Sequence, residues 1–125
     1  MALVKLYNKD GDAKAVKMQE GFEKKMGFVP EVFQAMGRSG DFLEKIMQLA
    51  EAAGKNLDPK TKELIIIAVS AANGCEYCLA AHRAMAKGAG VTDDEISAAL
   101  EIAASISAFN TFNKAIGLNI DLKAE

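Results

Sequence analysis

The chain has 125 residues, half of them hydrophobic and about a quarter charged, with 15 basic and 17 acidic side chains. A formal net charge of −2 leaves no basic footprint for nucleic acid. The longest apolar run, residues 64–72, falls well short of the about 20 residues needed to span a bilayer. The N-terminus, MALVKLYNKDGD, lacks the apolar stretch of a signal peptide, so a cytoplasmic location is expected. In that compartment a lasting structural disulfide is disfavoured, and two cysteines make a thin framework for a secreted domain.

Glycines punctuate the sequence, and the stretches between them read as helices. DAKAVKMQEGFEKKM (12–26) has mixed helical spacing, weakened by Gly21. PEVFQAMGR (30–38) opens on Pro30, which suits a first helical residue. DFLEKIMQLAEAAG (41–54) is amphipathic, with Asp41 as its expected N-cap and Gly54 as its stop. Asp58-Pro59 opens PKTKELIIIAVSAAN, which ends at Gly74. From Leu64 onward this helix is apolar all round, which predicts a central buried position. A strand over ELIIIAVS would have nothing to pair with. A shorter helix follows over 75–88. Thr92-Asp93-Asp94-Glu95 has the form of a capping box and starts a helix to about Ile116. That last helix carries Ile96, Leu100, Ile102, Ile106, Phe109, Phe112 and Ile116 on nearly every face, so it calls for a second partner surface. The expectation is an all-α chain of about six helices, one domain over 1–125, assembled as a homo-oligomer.

NGCEYCLAAH (73–82) holds both cysteines and the only histidine. A buried or disulfide-linked pair, a metal site and a redox dithiol are the competing readings. In a helix Cys78 and His82 are four apart and share a face, so the imidazole is placed to take the Cys78 proton. Cys75 lies seven residues from His82, about 10 Å along the axis, but close to the positive end of the helix dipole. The dipole favours thiolate at Cys75 and the histidine favours Cys78, so spacing leaves the attacking sulfur open. If the helices on either side of Gly74 form an antiparallel hairpin, Glu63 falls about 4.5 Å in axial offset from His82. Glu63, Ile67, Ser70 and Gly74 then share one stripe. Carboxylate, imidazole and thiol form a candidate relay, with Glu63 orienting His82 and His82 deprotonating Cys78.

Glu63, eleven residues, Cys75-x-x-Cys78, three residues and His82 together resemble the signature of the AhpD-like alkylhydroperoxidases of the carboxymuconolactone decarboxylase superfamily. The resemblance is tight over 58–90, including the aromatic Tyr77 between the cysteines. It implies an all-α fold with the motif helix near a subunit interface in a trimer or hexamer. It also implies reduction of a hydroperoxide or disulfide substrate through a dithiol–disulfide cycle, with an unidentified thiol reductant as second partner. Carried over by position, Cys78 would attack, Cys75 would resolve, and His82 and Glu63 would relay the proton. Some members carry two repeats of this unit, and this chain carries one.

Zinc is the chemical rival, since two thiolates, one imidazole and the Glu63 carboxylate make four ligands. A closed structural site usually draws on more sulfur, so neither metal nor cofactor is expected. Haem attachment through C-x-x-C-H is excluded by Leu79. Tyr77 and the methionines read as packing, and Ser70 as a small residue that lets helices approach. Besides the peroxidase, two further functions stay in view: decarboxylation of a muconolactone-type acid, and a zinc-binding or redox-sensing module.

Overall fold

Six α-helices form among residues 1–122, the part of the chain that the computed structural model describes. They are α1 (Ala13–Met26), α2 (Glu31–Ala35), α3 (Gly40–Ala52), α4 (Pro59–Asn73), α5 (Glu76–Gly88) and α6 (Asp93–Ile116), with a 3-10 turn at Met36–Arg38. The all-α expectation therefore holds, and ELIIIAVS lies within α4. No helix of the described residues is long and apolar enough to cross a membrane. Backbone contacts divide the chain into two units, Met1–Lys55 and Asn56 onward.

In the first unit, buried polar groups do much of the positioning. The Asp12 carboxylate caps α1 by accepting from the Ala15 amide, and it also accepts from the Gly40 amide at the start of α3. The Gln19 amide is fully buried and joins three strands of chain. Its Nε2 donates to the carbonyls of Tyr7 and Phe33, both at 2.8 Å, and its Oε1 accepts from the Lys9 amide. Phe22 and Phe33 stack at 4.3 Å between ring centroids. Two expected helix starts are corrected here. Pro30 is the N-cap of α2 and not its first residue. Ser39, not Asp41, caps α3, its hydroxyl accepting from the Phe42 amide. Asp41 sits in the first turn, where its charge suits the helix dipole and pairs with Lys14.

The second unit is built on a hairpin of α4 and α5 with α6 packed against α4. Asp58 caps α4 as expected, with Pro59 at its start. Ile67, Ala86, Val91 and Ile96 form the buried core, with Leu64 and Leu79 packed on it. Burying a side chain such as Ile67 contributes about 2 kcal/mol. The expectation that α4 is buried on all sides is corrected. Only the stripe Glu63, Ile67 and Ser70 is buried, while Ile65 is 48 % and Val69 53 % exposed within the chain. The capping box of α6 is half made. Thr92 accepts from the Glu95 amide, but the Glu95 side chain turns to Lys60 Nζ at 3.2 Å and does not reach back to the Thr92 amide.

Candidate active site

The turn between α4 and α5 fixes the site. Gly74 adopts the left-handed conformation (φ 73°), which a residue without Cβ takes at little cost. The Gly74 amide donates to the Ala71 carbonyl, and the Cys75 amide to the Ser70 carbonyl at 2.9 Å. This pair of bonds is a Schellman motif, and it reverses the chain so that α5 returns along α4.

Cys75 is the N-cap of α5 and not its first residue. Its sulfur accepts from the Cys78 amide at 3.2 Å, the place a serine or aspartate oxygen usually fills. The two cysteines are joined as a disulfide, with 5.3 Å between their Cα atoms. The chain is thus described in its oxidised form. This cap is the site feature that spacing alone did not reveal. The available signal was a cysteine standing where a predicted helix begins.

One turn beyond Cys78, His82 meets Glu63 directly, with Nδ1 2.8 Å from Oε2. A carboxylate only accepts, so the ring proton on this side belongs to Nδ1, and Nε2 is left as the ring's second nitrogen. Glu63 is buried and His82 half-buried, so water screens the pair less than it would on the surface. The expected approach of Glu63 to His82 therefore closes to a direct hydrogen bond.

Farther along α5, Lys87 and Arg83 both hold Asp93 at the start of α6, at 2.6 and 3.6 Å. The Lys87 ammonium, with a smaller effect from Arg83, keeps the Asp93 carboxyl below its ordinary range. The clasp ties the far end of the motif helix to its neighbour. Both sulfurs are taken by the disulfide, and among the described residues no three His, Cys, Asp or Glu side chains converge as metal ligands.

A profile of the carboxymuconolactone decarboxylase family matches residues 40–118. The chain belongs to this family. Among solved structures, the crystal structure of the alkylhydroperoxidase AhpD core from Rhodospirillum rubrum aligns with a TM-score of 0.81. That alignment covers 97 % of this chain and 95 % of the other, at 26 % identity, so the fold is AhpD-like. The alkyl hydroperoxide reductase AhpD of Caulobacter vibrioides is 44 % identical over 64 residues, which is 51 % of this chain and 33 % of that protein. The protein of the same name from Mycobacteroides abscessus is 29 % identical over 97 residues, 78 % of this chain and 51 % of its own length. The chain thus spans between a third and a half of these relatives.

Proposed function

We propose that this family member reduces alkyl hydroperoxides by cycling Cys75 and Cys78 between dithiol and disulfide. The observation that carries the reading is the Glu63–His82 hydrogen bond one helical turn from a bonded Cys75–Cys78 pair. Relatives named alkyl hydroperoxide reductase support it.

In the reduced chain, His82 Nε2 accepts the Cys78 proton while Glu63 holds the ring through Nδ1 and stabilises the imidazolium. The Cys78 thiolate attacks the terminal hydroperoxide oxygen, and the O–O bond breaks. The alkoxide leaves with the proton from His82 as an alcohol. Cys78 is now a sulfenic acid. The Cys75 thiolate attacks that sulfur, the S–S bond forms, and the hydroxyl departs with a proton as water. The product is the disulfide state described above. An external thiol reductant then returns two electrons and two protons.

Sharing a helix face with His82 supports Cys78 as the attacking residue, whereas Cys75, at the cap, suits resolution. Hydroperoxide consumption together with trapping by a sulfenate reagent tests this assignment. Cys75→Ser is expected to stop after one equivalent with the trap on Cys78, and Cys78→Ser to consume none. The reverse pattern would exchange the two roles.

The chain is further read as one domain over 1–125 and as a protomer of a trimer or hexamer. The near-complete alignment with the Rhodospirillum rubrum core supports the first. The exposed Ile106, Phe109, Phe112 and Ile116 of α6 support the second, since a lone chain leaves them in water.

A further inference from the structure

The sides of α5 differ in what they meet. Leu79 and Ala86 turn into the core, and His82 meets Glu63 on α4. Glu76, Arg83 and Lys87 share a charged side, and Arg83 and Lys87 are clasped to Asp93 at the start of α6. The remaining side carries Tyr77, Ala81 and Met85 at helical spacing. All three are exposed, Tyr77 by 47 % and Met85 by 50 %.

This strip borders the reacting pair. Ala81 follows Cys78 by three residues and Met85 follows His82 by three, so each is a surface neighbour of one member of the pair. From Tyr77 to Met85 the strip runs about 12 Å along the helix axis. The charged residues of α5 that meet water are gathered on the other side, so this exposed side is apolar throughout. An apolar surface beside a reactive group is suited to contact with an apolar ligand.

The geometry of the proposed attack says which ligand. The Cys78 sulfur bonds to the terminal oxygen as the O–O bond breaks, and the organic group is carried by the inner oxygen, which leaves with a proton as the alcohol. That group therefore lies over α5 beside Cys78. Toward α4 the surface is taken by Glu63 and His82, and toward the core by Leu79 and Ala86. The strip is the exposed way out.

We propose that Tyr77, Ala81 and Met85 hold the apolar tail of the hydroperoxide and so direct the site to substrates with an extended alkyl chain. The inference rests on the peroxidase reading for its substrate.

The test is single-turnover oxidation of the pre-reduced full chain, with no reductant present, by n-hexyl and by ethyl hydroperoxide. The hexyl compound should react about tenfold faster, since each half-covered methylene is worth roughly a factor of two. Met85→Gln, close to Met in length and without a charge to disturb the Cys78 thiolate, should cut that preference to about threefold. Met85→Leu should keep it, and so should Ala80→Gln on the far side of α5. Alkylation of Cys78 in the Cys75→Ser chain by N-hexylmaleimide against N-ethylmaleimide reads the same strip without a peroxide. Two hydroperoxides that react at equal rates, or a preference that survives Met85→Gln intact, overturn the proposal. A mass shift on light scattering of Met85→Gln also overturns it, because the strip is then a contact between copies. If neither hydroperoxide oxidises the chain, the peroxidase reading falls. The maleimide preference and its loss in Met85→Gln then still decide whether the strip holds alkyl chains.

Discussion

Glu63 shows how burial gives a single acid a defined partner. On an exposed helix start it would be one more surface charge. On the buried stripe of α4 its carboxylate is 2.8 Å from His82 Nδ1 and so engages that ring nitrogen. Glu63→Gln keeps the size and removes the charge that, in the proposed relay, stabilises the imidazolium. It is expected to lower the rate of Cys78 oxidation by about a hundredfold with little change in the fold. Stopped-flow oxidation alongside circular dichroism checks both parts, and an unaltered rate would remove Glu63 from the relay. The Glu63–His82 contact was legible because helical spacing sets angle as well as distance. Glu63 was placed opposite His82 by counting through Gly74. What spacing did not convey was the Cys75 sulfur acting as a cap, because cysteine is rare in that role and the exact first residue of a helix is hard to read.

At the scale of the element, caps and turns were read well where the side chain has one local use. Asp58, Gly74 and Thr92 each stand at the expected helix end. Reading failed where a side chain had a choice. Ser39 took the cap assigned to Asp41, which pairs with Lys14 instead, and Glu95 left the box for Lys60. The run from Leu64 suggested burial on every side of α4, yet Ile65 and Val69 are exposed within the chain. An apolar face reports what a helix tolerates, while the neighbours present decide what is covered. The Asp58 cap gives a pH test. Bonds from the Thr61 amide and hydroxyl hold its carboxyl below the ordinary value of 3.8. Because the folded value is depressed, the stabilisation is complete above pH 3.8 and fades as pH falls through the lower folded value. Thermal melts should therefore show Asp58→Asn below the parent at neutral pH, with the gap closing as pH drops below 3.8. A gap that persists unchanged into acid would mean the charge of this cap adds nothing.

For the whole molecule, the apolar surface of α6 is the feature that one chain does not satisfy. Phe109 and Phe112 are 64 % and 65 % exposed, with Ile106 and Ile116 beside them in sequence and also exposed. The sequence pattern pointed to a partner surface, and the isolated chain leaves that pattern open. If α6 packs in a homo-oligomer, Phe109→Glu or Phe112→Glu should shift the mass seen by light scattering toward the 13.3 kDa protomer. Parent protein already running at that mass would contradict the assembly. The proposed chemistry of the chain rests on its dithiol, and one measurement reaches it most directly. Free thiols per reduced chain are titrated before and after one equivalent of an alkyl hydroperoxide. The account predicts a fall from two to none, reversed by a dithiol reductant. Two thiols that stay unreacted while the peroxide remains would contradict it.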